Sequence, residues 1–418
     1  MEAILVLNAG SSSIKFAVFD AENGEIVSRP RVRGHIAIHE GRIELVASDA
    51  DGHLLERRQL ARGCPTFDAD AAIRHLIDWL SLNLGALEIS LIGHRVVHGG
   101  TLYTLPVMVT DAVVAQLETL IQLAPMHQGH NLNAIRIARE HWPRALHIAC
   151  FDTAFHHTQA PVARALALPR TITSAGVQRY GFHGLSFEYI AQQLPRVLGP
   201  HATGKVIVAH LGNGASLCAL SEGRSVASTM GFSVLDGLVM GSRCGTLDAG
   251  AVLYCFQCLG MTAAAVSDML YSQSGLLGVS GISADMETLL SSKDPHAAEA
   301  IDLFVYRLAG QIGELAAALG GIEALIFTAG IGENSPNIRR RVCAACAWLG
   351  AALDDSANEV DLELIHAPTS ALRIAVVASD EEAMIAQHAA RLAATVLPGA
   401  PAGAGAVSTR SDNARPSP

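Results

Sequence analysis

A strand–turn–strand unit occurs twice in this chain, in its first and second halves. The first copy is an apolar run at 4–7, the glycine- and serine-rich segment NAGSSS at 8–13 and an alternating apolar–polar stretch at 14–18. The second copy, VIVAHLGNGASLCAL, spans 206–220. Short apolar runs on either side of a glycine or serine turn are typical of β-hairpins. Because the same unit recurs, we expect an α/β fold in which two similar domains face one cleft.

A third apolar run, near the C-terminus, is also followed by glycines. The segment ALIFTAGIGENS at 324–335 predicts a strand and then a glycine loop, and Pro336 after it is typical of a helix start. The small and polar residues of 398–418 predict a disordered tail without a catalytic role. Helical periodicity fills other intervals, at 111–124, 131–141, 186–197 and 299–319.

Composition narrows the class of protein. Of the 418 residues, 50% are hydrophobic and 16% are charged, which is enough apolar material for two cores. The net charge of −10 disfavours a nucleic-acid partner, because phosphate backbones attract basic surfaces. The N-terminal segment MEAILVLNAG lacks the basic residues of a signal peptide, and no uncharged apolar run reaches the ~18 residues of a membrane span. We therefore expect a cytoplasmic protein with no membrane partner.

Two Cys-x-x-Cys pairs raise the question of a metal site: Cys255 with Cys258, and Cys343 with Cys346. Both pairs lie in apolar, helix-like stretches, and their separation far exceeds the ~15–20 residues between the pairs of a zinc ribbon. Free cysteine is one of the most frequently buried residue types. We therefore expect these cysteines to pack in the core rather than to bind zinc.

The chain lacks the two most familiar nucleotide-binding loops. None of its three lysines, Lys15, Lys205 and Lys293, lies in the Gly-Lys-Ser/Thr sequence of a P-loop, and no Gly-x-Gly-x-x-Gly follows a predicted strand. Backbone N–H groups in glycine and serine turns can bind phosphate instead. Such turns are NAGSSS at 8–13, HLGNG at 210–214 and GIGEN at 330–334. Each alone could be an ordinary tight turn, but together they favour a nucleotide site.

Two arginines lie beside glycines, one at the end of an apolar run and one in a glycine-bounded loop. Arg95 is in LIGHRVVHGG and Arg243 is in MGSRCGTLD. A guanidinium there can bind a carboxylate or phosphoryl group through two hydrogen bonds, although either arginine alone could be a surface residue. Asp152 follows a strand-like run, LHIACF, and so belongs at the carboxyl end of a strand, where α/β proteins form their sites.

Histidines recur in several short motifs. A histidine beside apolar residues is usually a core residue with satisfied hydrogen bonds. His183, in RYGFHG, follows an aromatic residue and lies between glycines, so we assign it to a site. We expect His156 and His157, in FDTAFHH, to be structural.

Nine segments together resemble the acetate and propionate kinase family. In chain order they are NAGSSSIKF, GHRVVHGG, LAPMH, FDTAFHHT, RYGFHG, HLGNGAS, MGFSVLDGLVMGSRCG, SGLLGVSG and FTAGIGENS. The resemblance implies an α/β fold of two duplicated actin-like (ribonuclease H-like) domains around a central nucleotide cleft. The implied N-terminal domain, on the substrate side, is 1–151 plus 382–397, and the implied nucleotide-binding C-terminal domain is 152–381.

The resemblance also implies an activity. The reaction would be the reversible, Mg²⁺-dependent transfer of the ATP γ-phosphoryl group to acetate, with propionate also accepted, giving acetyl phosphate and ADP. The enzyme would be a homodimer.

The catalytic residues would be Asp152, His183 and Arg243. The acid would be bound by Arg95, Val97, Met126, Phe182 and Val234. The nucleotide would be bound by Ser11, Ser13, Lys15, His210, Leu211, Gly212, Asn213, Gly214, Asp285, Met286, Glu287, Gly330, Ile331, Gly332, Glu333 and Asn334. Asn8 and Glu381 would hold Mg²⁺, or Mn²⁺ in its place.

The chain departs from the family pattern at positions that surround this implied site. No presumed catalytic group is lost, so we still expect activity, and the replacements near the acid are close in size, so we expect a short pocket. The departures are Asp380 for Asn, Thr246 for Asp, Gln128 and Gly129 for Asn–Pro, Met126 for Leu and Val234 for Pro.

The chemistry of the acid limits the mechanism. A carboxylic acid is already ionised at pH 7, so its attack on ATP needs no general base. We expect direct in-line transfer, with a phosphorylated glutamate intermediate as the alternative. Two rival functions are another actin-like kinase, for butyrate or a sugar, and a non-catalytic ATP-binding protein of the chaperone type. Asp152 could serve as the base of a sugar kinase, but the paired Arg95 and Arg243 favour an anionic substrate.

Overall fold

The computed structural model of this chain describes residues 2–10, 13–22, 25–26, 29–39, 42–62, 69–84, 87–125 and 127–396. Ser11, Met126 and the predicted tail at 398–418 lie outside the described residues. Within these ranges, no helix is long and apolar enough to cross a membrane.

Strands and helices both contribute to each half of the chain. The strands are β1 Glu2–Ala9, β2 Ser13–Glu22, β3 Glu25–Ile26, β4 Val32–His39, β5 Arg42–Asp49, β6 Leu54–Arg62, β7 Ile89–Val96, β8 Val107–Met108, β9 Leu146–Phe151, β10 Lys205–Leu211, β11 Ala215–Ser221, β12 Arg224–Ser228, β13 Ala324–Thr328 and β14 Arg373–Val376. The helices are α1 Ala69–Asn83, α2 Asp111–Thr119, α3 Gln128–His141, α4 Pro161–Arg164, α5 Arg170–Thr173, α6 Gly184–Leu198, α7 Ala249–Gln257, α8 Ala263–Ser272, α9 Gly275–Ser280, α10 Met286–Ser291, α11 Pro295–Leu319, α12 Ala329–Asn334, α13 Pro336–Ala345, α14 Asp355–Glu359 and α15 Glu381–Val396. Short 3-10 helices lie at Ile121–Leu123, Ala154–Thr158, Gly199–His201 and Ala347–Leu349.

Two mixed sheets with the same central topology organise the molecule. The first has the strand order β6-β5-β4-β2-β1-β7-β9-β8, with β3 paired to β2, and the second has the order β12-β11-β10-β13-β14. In each sheet the first strand forms an antiparallel hairpin on one side, β1–β2 or β10–β11. Parallel strands follow on its other side, β7 and β9 or β13 and β14. The predicted fold of two duplicated α/β units is confirmed.

Helices cover both faces of each sheet because the central strands are apolar on both sides. In the second sheet, alternate residues of β10 pack against α6 on one face and α11 on the other. In the first sheet, α1 and α3 cover one face and α15 covers the other. A Cβ on Gly93 of β7 would lie 2.5 Å from Ile385 Cγ2, so glycine permits the close approach of α15. The boundaries 1–151 plus 382–397 and 152–381 stay a prediction.

The segment GIGEN is a short helix rather than the expected glycine loop. The chain leaves β13 through Ala329, whose φ of 63° is unusual for a residue other than glycine. Glu333 stabilises this turn, because its Oε1 accepts the backbone N–H of Ala329 at 2.7 Å. The carboxylate of Glu333, four residues after Ala329, therefore stabilises the turn between β13 and α12.

The prediction of core packing is correct for one cysteine pair only. Cys343 and Cys346 are buried in the second unit. Cys258 is exposed, and Cys255 is half-buried on α7, a helix without buried residues. The apolar sequence of α7 therefore forms a surface of the chain.

A fully buried arginine connects α13 to the end of α12. Arg339 is 0% exposed, and its Nη1 donates to the carbonyl oxygens of Gly332 and Glu333 at 3.0 and 2.8 Å. Nε donates to Asn358 Oδ1 at 2.7 Å, and Nη2 donates to the Asn358 carbonyl oxygen and to Asp361. A buried cation is unfavourable unless its hydrogen bonds are all made. Arg339 therefore stabilises the end of α12 only when all of these contacts form together.

We expect Arg339→Met to lower the free energy of unfolding by about 3–5 kcal/mol, because it leaves several buried acceptors without a donor. Arg340→Met is the matched control. Arg340 is half-buried and pairs with the exposed Asp355 and Glu359, so its loss should cost about 0–1 kcal/mol. Urea unfolding of both variants measures the difference, and equal shifts in the two variants would contradict the assignment.

Candidate active site

The carboxyl ends of three neighbouring parallel strands bring Asn8, Arg95 and Asp152 together. Arg95 donates from Nε to Asp152 Oδ1 at 3.0 Å and from Nη2 to Oδ2 at 2.5 Å. Its Nη1 donates to Asn8 Oδ1 at 3.2 Å. Burial opposes the charge on Arg95, but Asp152 and then Glu381 outweigh this effect and raise its pKa. Burial raises the pKa of Asp152, and the guanidinium of Arg95 opposes that rise.

Asn8 also faces two carboxylates at the start of α15. Its Nδ2 donates to Glu381 Oε2 at 3.2 Å and to Glu382 Oε1 at 2.8 Å. Burial opposes ionisation of Glu381, but nearby basic groups, Arg95 foremost, outweigh it and lower the pKa. Burial, and then Glu381, raise the pKa of Glu382. Mg²⁺ prefers oxygen ligands, so the carboxylates of Glu381 and Glu382 fit that ion. Asn8 turns its NH2 group to them and its oxygen to Arg95, so its amide would have to rotate to bind the ion.

Asp380, which departs from the family pattern, caps α15. Its Oδ1 accepts the backbone N–H of Ala383 at 2.8 Å, and its Oδ2 accepts a hydrogen bond from Arg33 at 3.0 Å. A carboxylate at a helix N-terminus is favourable because the first N–H groups have no partner within the helix. Asp380 therefore holds the start of the helix that carries Glu381.

Two stacked histidines lie on the side of the second sheet. The rings of His183 and His210 have centroids 4.2 Å apart and planes 20° apart. His183 precedes α6 with a φ of 56°, and the backbone N–H of Gly184 donates to the Asp152 carbonyl oxygen at 2.8 Å. Burial lowers the pKa of His210 to about 4. Burial, and then His210, place the pKa of His183 well below its ordinary value.

Gly214 is the point where His183 and Arg243 converge. A Cβ on Gly214 would lie 3.3 Å from His183 Nε2 and 3.5 Å from Arg243 Nη2. Arg243 donates from Nη1 to the Val234 carbonyl oxygen at 3.2 Å, and burial lowers its pKa. In the part of the chain that the structure describes, Arg243 forms no ion pair with a carboxylate. A partly buried cation without a carboxylate is suited to an anionic ligand.

Three of the four predicted apolar acid-binding residues share one cluster. Val97, Phe182 and Val234 are buried and belong to the same core cluster, whereas Met126 lies outside the described residues. The His98 ring contacts Phe182 edge-on, with centroids 5.6 Å apart. These side chains form an apolar region next to the backbone that follows Arg95.

A cavity of about 630 Å³ lies beside this centre in the second unit. Among the predicted nucleotide-binding residues, those that line it are Gly212, Asn213, Asp285, Met286, Glu287, Gly330, Ile331 and Asn334. Ala284, Leu290 and Ser335 line it as well. A volume of this size matches the pockets that hold small molecules and cofactors.

The other predicted nucleotide residues lie around the cavity or inside the protein. Leu211 and Gly332 are buried in the second unit, and Glu333 faces inward, because its Oε1 also accepts the backbone N–H of Ser379 at 3.0 Å. Lys15 is exposed on β2 and pairs in register with Asn8 across the first hairpin, two residues from Ser13.

Comparison with known proteins agrees with this geometry. The sequence model of the Acetokinase family matches residues 3–387. This chain belongs to the acetokinase family. It is 52% identical over 395 residues to the acetate kinase of Rhodopseudomonas palustris strain TIE-1, which covers 94% of this chain and 98% of that protein. It is 46% identical over 391 residues to the acetate kinase of Methylocella silvestris, with 92% and 96% covered.

Solved structures place this acetokinase-family chain in the same fold. A propionate kinase from Francisella tularensis has a TM-score of 0.84 at 35% identity, covering 93% of this chain and 99% of that one. The acetate kinase of Porphyromonas gingivalis has a TM-score of 0.79 at 32% identity, with the same coverage. The resemblance seen in the sequence motifs is confirmed, and the chain is a kinase that uses ATP and ADP.

Two residues shape the site through hydrogen bonds that could not be predicted from the sequence. Gln128, a departure from the acetokinase pattern, donates to the His98 carbonyl oxygen and accepts the His98 N–H, at 3.1 and 3.2 Å. Asn131 accepts the N–H of Val97 at 3.0 Å and donates to the carbonyl oxygen of Ala9 at 2.6 Å. Their partners are far away in the sequence, so only the fold reveals these contacts.

We expect Gly214→Ala to lower kcat/KM by about 100-fold, because the new Cβ would occupy the space between His183 and Arg243 and press on the His183 ring. Gly310→Ala is the matched control, since its Cβ would meet nothing within 4 Å on α11. Steady-state kinetics and thermal unfolding of both variants test this. Wild-type kinetics in Gly214→Ala would contradict the placement of His183 and Arg243 around Gly214.

Proposed function

We propose that this chain is an acetate kinase that catalyses reversible, Mg²⁺-dependent transfer of the ATP γ-phosphoryl group to acetate, and also to propionate. The products are the acyl phosphate and ADP. The observation that carries the proposal is the arrangement of two arginines around one cleft. Arg95 is paired with a carboxylate, whereas Arg243 has no carboxylate partner in the described residues and converges with His183 on Gly214.

Arg95 is suited to binding the acid. A guanidinium has five N–H donors, and the hydrogen bonds of Arg95 use three of them: Nε and one on Nη2 to Asp152, and one on Nη1 to Asn8. One N–H on each terminal nitrogen therefore remains available for the carboxylate of the acid. Asp152 contributes by orienting this pair rather than by acting as a base, because the acid arrives ionised.

Arg243 and His183 are suited to the transferring phosphoryl group. The attacking carboxylate and the γ-phosphate are both anions, so their approach requires compensating positive charge and hydrogen-bond donors. Arg243 supplies a charge that no carboxylate neutralises, and His183 supplies a neutral imidazole beside it. The adjacent cavity of about 630 Å³ is large enough for the nucleoside of ATP.

Asn8, Glu381 and Glu382 are the residues we propose for Mg²⁺, with Mn²⁺ as an alternative. When bound, the ion would neutralise charge on the phosphate oxygens. We propose direct in-line transfer, because the substrate carboxylate is itself a sufficient nucleophile. We also propose a cytoplasmic place of action, since the phosphoryl donor is ATP.

The function is tested by ADP release with acetate, propionate, butyrate, glucose and no acceptor. One methylene in an apolar pocket is worth about 0.8 kcal/mol, so acetate and propionate should have kcat/KM values within about tenfold of each other. Butyrate should be poor, because its second methylene must overlap the pocket wall. EDTA should abolish turnover in every case.

Val97→Ala tests whether Val97 limits the length of the acid that the pocket accepts. It opens space in the wall of the acid pocket, so it should improve butyrate relative to acetate. A wild-type preference for butyrate would contradict the proposed pocket, and turnover of glucose would contradict the proposed substrate class.

We further infer that the chain is a homodimer and that α7 lies in the interface. The α7 surface consists of exposed apolar side chains in and around a helix without buried residues. Its members are Leu247, Leu253, Tyr254, Phe256 and Leu259. Asp248 is the sole charged residue from 247 to 267, so this surface suits a second copy of itself better than a charged partner.

We expect Leu253→Arg to convert the dimer to monomers, because it places a charge in the apolar contact. Leu82→Arg is the control, because Leu82 is another exposed leucine but lies on α1 of the first unit. Light scattering after size exclusion measures the mass of both variants. A monomeric wild type, or a dimer that persists in Leu253→Arg, would be inconsistent with this interface.

A further inference from the structure

Each of the two stacked histidines is paired with a buried serine. Ser216 on β11 lies 2.8 Å from His183 through its Oγ and the ring Nδ1. Ser186 on α6 has the same relation to His210, also at 2.8 Å. Both serines are 0% exposed. The two pairs therefore repeat one arrangement, with Nδ1 facing a hydroxyl and Nε2 facing the cleft.

The hydroxyl groups decide where each imidazole carries its proton. A neutral imidazole has one N–H, and the group bonded to one nitrogen determines which nitrogen holds it. Among the described residues, neither Ser216 Oγ nor Ser186 Oγ has a hydrogen-bond partner other than its histidine. If Nδ1 carried the proton, the buried hydroxyl hydrogen would have no acceptor, which is unfavourable. Each serine therefore donates to Nδ1, and the N–H is on Nε2.

The Nε2 atoms point at the two glycines of the second-unit turn. His183 Nε2 would lie 3.3 Å from a Cβ on Gly214, beside Arg243 Nη2. His210 Nε2 would lie 3.7 Å from a Cβ on Gly212, which lines the 630 Å³ cavity. The Nε2–H tautomer thus aims a donor from each ring at the space next to this turn.

We propose that Ser216 is a positioning residue that holds His183 as the neutral Nε2–H tautomer, so that the ring donates a hydrogen bond to an oxygen of the transferring phosphoryl group. Ser186 does the same for His210 towards the phosphate groups of the nucleotide. No proton leaves either ring, so each histidine acts as a fixed dipole and not as an acid. The identity of the acceptor rests on the proposed phosphoryl transfer, whereas the tautomer does not.

Nitrogen NMR of the wild-type enzyme labelled with ¹⁵N-histidine tests the tautomer directly. The two-bond correlations to the ring protons distinguish an Nε2–H ring from an Nδ1–H ring, and the spectrum of His183→Gln identifies the signals of His183. We expect one Nε2–H tautomer at neutral pH. An Nδ1–H ring or an imidazolium at His183 would overturn the proposal, whichever acid the enzyme uses and even if Ser216 variants fail to fold.

Kinetics of Ser216→Ala test the positioning role. Without the hydroxyl, the ring should sample both tautomers, and kcat should fall about tenfold, which is less than the ~100-fold loss expected when a donor is deleted. The KM values for acid and ATP should stay within about twofold, because binding relies on other groups. A residue with only a structural role would instead change both KM values and the unfolding midpoint.

Ser228→Ala is the matched control. Ser228 is a buried serine on the adjacent strand β12, and its hydroxyl has no hydrogen-bond partner among the residues that the structure describes. Its loss should leave kcat and the histidine spectrum as in the wild type. If Ser216→Ala keeps the wild-type kcat, and His183 in that variant is still a single Nε2–H tautomer, the serine is dispensable and the proposal is overturned.

Discussion

The ion pair between Arg95 and Asp152 is the interaction on which the site depends. A buried carboxylate paired with a partly buried arginine is tolerated only when the hydrogen bonds of both are satisfied, and here each partner has further contacts. Arg95 reaches Asn8, which in turn donates to the two glutamates of α15. The backbone of Asp152 accepts the N–H of Gly184, next to His183. One network thus sets the relative positions of acid-binding, metal-binding and phosphoryl-binding groups.

The two arginines of the site have different electrostatic environments, and this difference suits a reaction between anions. Asp152 balances the charge of Arg95, so Arg95 offers directed hydrogen bonds with little net charge. Arg243 has no carboxylate partner in the described ranges, so its charge is available to the phosphoryl group. The neutral pair His183 and His210 adds donors without adding charge. Binding and transition-state stabilisation can therefore be separated between residues.

The sequence predicts local structure well and side-chain partnerships poorly. The hairpins β1–β2 and β10–β11 follow from apolar runs around glycine and serine turns, and helix α11 follows from its periodicity. The orientation of Glu333 does not follow, because its carboxylate closes the turn at Ala329 instead of facing the nucleotide cavity. The pairing of Ser216 with His183 could not be predicted from the sequence either, because it joins β11 to the start of a helix that is distant in the chain.

One departure from the family pattern, Thr246, can be explained by its contacts in the structure. Thr246 replaces a carboxylate close to Arg243, and its hydroxyl donates to Asp236 at 2.9 Å. Asp236 pairs with Arg179 at 2.8 Å, and Arg179 also donates to the carbonyl oxygens at the end of β12. Asp236 therefore helps to restrain the loop that carries Val234 and Arg243, together with backbone hydrogen bonds such as that from Gly241 to Asn213. Because that carboxylate is already engaged by Arg179 and Thr246, the substitution keeps the loop in place and leaves Arg243 free to bind an anion.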